Sequence, residues 1–591
     1  MGLTSSAPAE LSKKQKDIAY LGNRLPFGDD ELVQLYNAYH LRKTLASRNE
    51  HTSFLVDIGI LCYSKMEPGE AELKERKLLI QALESKILPP SFGNRLFQTS
   101  FIGPQDLSDY NDDKPTSSVS NATGEEDEFT HRANLEAFFS GAALCGRRGA
   151  AKTLQVLVEA CEQHPAPPSE NGSVSSPFEA TTSTRESTLI DPVELISMGY
   201  RVALASAFLS ATTRNDDQED VGRFLPDDKV SDHPGLVSLA TSLKAFATKR
   251  KQRLEHAAIP PSELLSLVSA EDVAEWGEQM APMFAASLSS LMHQLFFPHK
   301  PPPPTRTSFE FPQLSDESIF FNGSASPLLF SFACMSPSLS GEYYRLYTSL
   351  SDGLSFNRLQ NSLLGYGGPT LLIIRATDNT IFGAYTASSW KESKDFYGNT
   401  DCFLFQLSPS ISIYHPSGNS QNFMYCNSYA RSRGYDQQAH GIGFGGSVQE
   451  PRLFIAESFD DCVASDADLT FAKGRLLGNA NDALLGKSAI VGEKNAKYFD
   501  IDSLEVWGVG GTEVVMEALG ARTKHRDIRQ AGINKARKVD KAAFLEDFQS
   551  GLMDSKAFAH RNQIQGRDGA CVGVDDLNKY EKEQSRKRSG S

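Results

Sequence analysis

Four consecutive prolines, Pro301–Pro304 in "PHKPPPPTRTS" (298–308), constrain this 591-residue chain more than any other feature. Proline fixes φ and lacks the amide hydrogen a helix needs, so the run ends any helix and favours extended polyproline II. The patterning changes across it. Apolar residues recur at helical spacing before the run, and short β-rich segments bounded by turn residues follow it. An α+β chain is expected, with a helical region ahead of a Pro-rich linker at 298–315 and a β-domain behind it.

The helical half divides further. "DDELVQLYNAYHLRKTL" and "ELKERKLLIQALESKIL" place helices within 12–103. Residues 104–128 are acidic and turn-rich and read as a linker. A second helical region spans 129–297, interrupted by a Ser/Pro-rich insert at 163–189 that reads as disordered. Helix pairs of this kind could be degenerate EF-hands, but no D-x-[DN]-x-[DN]-G loop with a closing glutamate separates them. "MAPMFAASLSSLMHQLFF" (280–297) contains Pro282, His293, Gln294 and several serines, and reads as a core helix rather than a membrane span. The start, 1–11, reads as disordered, without a secretory leader. It does match M-G-x-x-x-[ST], with Gly2 as the lipidation candidate, and one myristoyl chain needs a second signal for stable membrane anchoring.

Beyond the prolines, "TLLIIRA", "IFGAYTA", "CFLFQLS", "SISIYH", "NFMYCN", "RLFIAES" and "DSLEVWGVG" read as strands of an antiparallel β-domain, a sandwich. A net charge of −15 argues against nucleic acid as a primary partner, since phosphate contacts need a basic surface. Eight scattered cysteines without C-x-x-C spacing read as reduced cytosolic thiols, most of them core residues. "HGIGFGG" (440–446) spells G-x-G-x-x-G, but a polar loop precedes it and a β-rich run follows, so no helix N-terminus is placed to hold a pyrophosphate. Close backbone approach beside a strand explains these glycines more simply. "GRRGAAKT" (146–153) misses the P-loop because Ala151 stands where the second glycine belongs. The pair Asp466 and Asp468 opens like a calcium loop, but Leu477 occupies the closing position, leaving solvated turn carboxylates as the expectation. No G-x-S-x-G or H-E-x-x-H supports a hydrolase or zinc protease.

From "IFGAYTASSW" (381–390) through "CFLFQLSPSISIYH", "GIGFGGSVQEPRLFIAESF" and "FDIDSLEVWGVGG" (499–511), the β-domain resembles the TLDc family, over about 316–515. The motif residues carrying the likeness are Gly383, Trp390, Cys402, Gly441, Gly443, Gly445, Gly446, Glu505, Trp507 and Gly508. The tail, a helical extension at 516–575 before a disordered 576–591, resembles that of plant-type TLDc proteins. The whole architecture is similar to the lysosome-associated and fungal members. Asp460 and Asp461 depart from the Gly-Lys-Gly-like turn of the animal members. The resemblance implies a two-sheet antiparallel β-sandwich flanked by helices, its Gly-rich segment a turn delivering strand 452–458, with no catalytic centre, cofactor or metal. It also implies oxidative-stress resistance and binding to the vacuolar proton-pumping ATPase (V-ATPase). Glu457, Asp460, Asp461 and the charged helix near 520–547 are then the candidate contacts, on a cytoplasmic protein peripheral to a lysosomal or vacuolar membrane. Two alternatives stay open: a thiol-based antioxidant enzyme using Cys402 or Cys426 on peroxide, and a lipid-anchored scaffold whose TLDc domain is structural.

Overall fold

The computed structural model describes residues 13–47, 53–63, 70–89, 91–101, 124–161, 189–213, 224–226, 229–255, 266–302, 308–323, 325–428, 439–478 and 496–549. Gly2, residues 1–11, most of 104–128, all but the last residue of the 163–189 insert and everything after 549 lie outside them.

Helices α1 (Lys13–Gly22), α2 (Asp29–Ser47), α3 (Phe54–Leu61), α4 (Glu70–Lys86) and α5 (Phe92–Ser100) come first. They are followed by α6 (Gly124–Leu144), α7 (Ala150–Ala160), α8 (Pro192–Thr213), α9 (Pro234–Glu255), α10 (Ala270–Gln279) and α11 (Phe284–Phe296). Local chemistry sets several starts. Ser53 caps α3 through the Val56 amide, and Ser269 and Asp272 form a reciprocal capping box on α10. Helix α6 begins inside the stretch expected to be linker. The blocks before and after 104–128 share one core: Phe101 of the first, packed on Phe54, meets Phe138 and Phe296 of the second. Pro192–Ala211 is long and apolar enough to cross a membrane, yet 72% of its most apolar window is buried in this core, as suits an internal helix. Short strands β1 (Leu189–Ile190) and β2 (Val268–Ser269) pair beside it.

The second half holds two sheets. One runs in spatial order β3 (Gln313–Leu314), β4 (Glu342–Thr348), β15 (Ile501–Gly508), β5 (Thr370–Ala376), β6 (Ile381–Thr386), β8 (Phe403–Ser408) and β9 (Ser412–Tyr414). The other runs β14 (Ala496–Phe499), β13 (Cys462–Ser465), β12 (Pro451–Ala456), β11 (Gly441–Gly446), β10 (Met424–Asn427) and β7 (Ser393–Tyr397). All pairings are antiparallel except β3 with β4. Strand alternation sorts the side chains. Leu372, Ile374, Leu404, Leu504 and Val506 point to a core shared with Ile442, Phe444, Leu453 and Ile455 of the other sheet. Their neighbours Leu371, Ile373, Phe403, Phe405 and Trp507 face the opposite way, under α12 (Pro327–Ala333). Covering both faces explains why these strands are almost continuously apolar.

The prolines end the helix without separating the cores. Phe309 and Phe311, just past the run, pack with Phe330 of α12 and Tyr200 of α8 inside the helical core. Burying each phenylalanine contributes roughly 1.5–3 kcal/mol, so the chain turns back against the helices as soon as it can bend. Backbone bonds fix the junction: the Met283 amide donates to Cys334 O (3.0 Å), and the Ile411 amide donates to Ser238 Oγ (2.6 Å) on α9.

Candidate functional site

The Gly-rich segment is itself strand β11, hydrogen-bonded to β10 and β12, rather than the turn expected; the reversal falls at residues 447–450. Gly441 sits opposite Ala456 and Gly443 opposite Phe454 and Tyr425, while Gly445 and Gly446 take φ of 68° and 67°. A Cβ on Gly446 would collide with the Glu450 carbonyl oxygen. Asp468 takes the place a phosphate would need. Its carboxylate accepts from the amides of Gly446 (2.9 Å), Thr470 (2.9 Å) and Phe471 (3.2 Å). It also faces Nε of the fully buried Arg452 at 3.5 Å. Arg452 donates from Nη2 to Gly474 O and lies over the Tyr414 ring. Asp466, in turn, pairs with Arg475 at 3.4 Å. The two aspartates expected to be solvated are therefore ion-pair partners with buried side chains: Asp466 closes the 466–475 loop on itself through Arg475, and Asp468 ties that loop to the β11–β12 hairpin. The Asp468 pairing was missed in the sequence because Arg452 and Gly446 stand on a separate segment.

The remaining motif residues are dispersed through the interior. Glu505 is fully buried and accepts from Ser318 Oγ (2.7 Å), the Ile319 amide (2.9 Å) and Trp507 Nε1 (3.0 Å). It thereby fastens the segment entering the domain to the central strand β15. Trp390 Nε1 donates to Thr370 Oγ1 (2.8 Å), and Gly508 and Gly383 leave room for Tyr366 and for the neighbouring strand β5. Cys402 and Cys426 are buried. Burial pushes both thiols up, Cys426 to about 12 with the Glu392 charge adding to it, so neither holds a thiolate at neutral pH. That withdraws the support these two residues gave to peroxide chemistry.

Two exposed features remain, and they share a neighbour. Asp460 and Asp461 are exposed at the tip between β12 and β13, with Glu457 half-buried at its base and φ positive at Phe459 and Asp461. The Phe459 ring meets Phe356 of α14 (Phe356–Leu363). Helix α15 (Thr512–Gln549) docks on α14 as well. Val515 and Ala518 are buried, and the guanidinium groups of Arg522, Arg526 and Arg529 donate to Ser362 O, Asn361 O and Asn361 Oδ1. Beyond Arg529 every described side chain of the helix is exposed. At 1.5 Å per residue its last twenty residues project about 30 Å. Residues 522–541 carry eight Lys/Arg against two Asp, a net of six positive charges in a chain of net −15. The sequence showed a charged helix; its freedom from the body of the domain was visible only in the fold.

The TLDc domain family matches residues 316–510. The chain is 27% identical to MTOR-associated protein MEAK7 of Danio rerio over 233 residues, 39% of this chain and 46% of that protein. It is 27% identical to Oxidation resistance protein 1 of Xenopus tropicalis over 120 residues, 20% of this chain and 14% of that one. With Nuclear receptor coactivator 7 of Homo sapiens the identity is 26% over 170 residues, 29% and 15% of the two chains. The chain thus spans less than half the length of these relatives. The match falls on the two sheets that enclose the β11–β12 hairpin and the Glu505–Trp507 pair, and residues 316–510 are a TLDc domain.

Proposed function

We propose that this TLDc protein is a non-catalytic regulator that binds the V-ATPase through α15, with the acidic 457–461 tip, which also packs on α14, as a second contact. The observation carrying the proposal is the stretch of α15 beyond Arg529, whose described side chains are all exposed. Among them Lys535, Arg537, Lys538 and Lys541 stand close together in sequence, and such a basic cluster defines an acidic counter-surface. The apolar packing of the domain interior, the engagement of its Glu505 and Asp468 carboxylates in hydrogen bonds and its high-pKa thiols support a binding module over an enzyme. The name of one relative, Oxidation resistance protein 1, supports a contribution to oxidative-stress resistance as a consequence of that binding. A cytoplasmic protein peripheral to a lysosomal or vacuolar membrane, with Gly2 acylated, belongs to the same reading.

The test is co-elution of the full chain with isolated V-ATPase catalytic sector, together with its ATP hydrolysis rate. Stoichiometric co-elution with an altered rate is expected. The triple variant Arg537→Glu, Lys538→Glu, Lys541→Glu is expected to lose binding while keeping the fold, because these side chains touch nothing in the domain. Native protein that fails to co-elute at micromolar concentration, or a triple variant that binds as tightly as native, overturns the proposal.

A further inference from the structure

Arg76 on α4 is 4% exposed, yet no carboxylate pairs with it among the described residues. Two other arginines with buried side chains are neutralised, Arg147 by Glu31 and Arg452 by Asp468. Arg76 has one long hydrogen bond, Nη2 to Gln294 O at 3.4 Å, and stacks over the Tyr63 ring at 5.3 Å. Its Nε and Nη1 have no hydrogen-bond partner among the described residues, and neither has the buried Oε1 of Gln294. A buried charge left in this state is destabilising unless something supplies the counter-charge.

Arg76 lines a cleft of about 340 Å³ between α4, α8, α11 and residues 297–302 and 308–310. Around it stand His293, His299, Lys300, Ser289 and Ser290, with Phe309 forming an apolar wall. His293 Nε2 donates to the Lys300 carbonyl (2.8 Å), which ties the end of α11 to the segment that follows it. Lys300 itself reaches Asp30 at 3.7 Å, and Glu310, the carboxylate in the lining, is exposed. The buried end of the cleft is therefore cationic and hydroxyl-bearing. Its volume lies at the small end of the range for small-molecule sites.

We propose that the cleft binds a small phosphorylated molecule whose phosphoryl group neutralises Arg76. A tetrahedral group offers oxygens in several directions and so matches donors spread over the Arg76 guanidinium, the His299 imidazole and serine hydroxyls better than a planar carboxylate does. An occupant would touch both the helical core and the segment that leads into the TLDc domain, so occupancy stiffens the junction between them.

The experiment is thermal unfolding of the full chain in increasing inorganic phosphate, with chloride adjusted to hold ionic strength constant. The unfolding temperature is expected to climb with the logarithm of phosphate concentration, as for any ligand of the folded state. Arg76→Met is expected to abolish the climb without lowering the unfolding temperature in phosphate-free buffer, because it removes an unpaired buried charge. His299→Glu, at an exposed rim position that tolerates substitution, is expected to weaken apparent phosphate affinity at least tenfold. No climb in the native protein, or a climb that persists in either variant with unchanged midpoint, overturns the proposal.

Discussion

Replacing Glu505 tests how the domain is held together. Its carboxylate is fully buried and receives three donors, from Ser318, Ile319 and Trp507. In Glu505→Gln one oxygen still accepts, and a serine hydroxyl can reverse to meet the new amide. The Trp507 indole N–H, however, then faces another donor in a fully buried site. One unsatisfied buried donor costs about 1–3 kcal/mol, and the remaining bonds lose their charge assistance, so a total of about 2–4 kcal/mol is expected. Glu505→Ala leaves all three donors unmet and adds a cavity, and about 4–6 kcal/mol is expected from the same terms. Urea unfolding followed by tryptophan fluorescence reads the difference directly, because Trp507 lies beside the lesion. Ser318→Ala should cost less in the Glu505→Ala background than in native protein, since the bond to Glu505 is already lost there while those from the Phe320 and Phe321 amides remain. A Glu505→Gln protein within about 0.5 kcal/mol of native, the range of ordinary surface changes, would refute the assignment of this carboxylate as the clasp between 318–319 and β15.

Further outcomes follow from single positions. Gly446→Ala should destabilise by more than about 2 kcal/mol, from left-handed backbone and the Glu450 carbonyl clash, while Gly443→Ala, which meets only the edge of Phe454, should cost well under half as much in parallel urea melts. Cys462, pushed up to about 11 by burial, and Cys426, at about 12, should resist a thiol-specific reagent at pH 8 in native buffer and react fully in denaturant; rapid native labelling of either would contradict their burial. Burial, and secondarily the Asp57 charge, raises the Glu84 carboxyl above its ordinary 4.5 despite the Ser53 hydrogen bond. The folded state then holds more protons than the unfolded one just above pH 4.5, so this group's contribution to stability falls as pH rises through its folded pKa. Glu84→Gln should flatten that part of the stability profile, and an unchanged profile would count against the shift.

Much of the β-domain was legible because its signals are local. Alternating apolar runs and turn residues set the strands, and Trp390, Glu505 and Trp507 stood in a recognisable order. The Gly-rich segment was legible as non-nucleotide from its flanks, but not as a strand, since glycine has no β propensity and only pairing to β10 and β12 holds it extended. The ion pair of Arg452 with Asp468 and the lone Arg76 left no trace in spacing, because their environments are built from distant segments. Helical patterning likewise marked two blocks of helix without showing that they close into one core.

By itself the sequence determined the α+β division, the stop imposed by Pro301–Pro304, the TLDc likeness and the concentration of positive charge near the C-terminus. These depend on residue identity and short spacing, which chain chemistry fixes directly. Only tertiary structure decided that Phe309 and Phe311 fold back into the helical core, that Asp466 and Asp468 are buried rather than solvated, and that α15 leaves the domain after Arg529. Each of those depends on which distant surfaces meet. Burial and charge neutralisation are properties of that meeting rather than of any segment read alone.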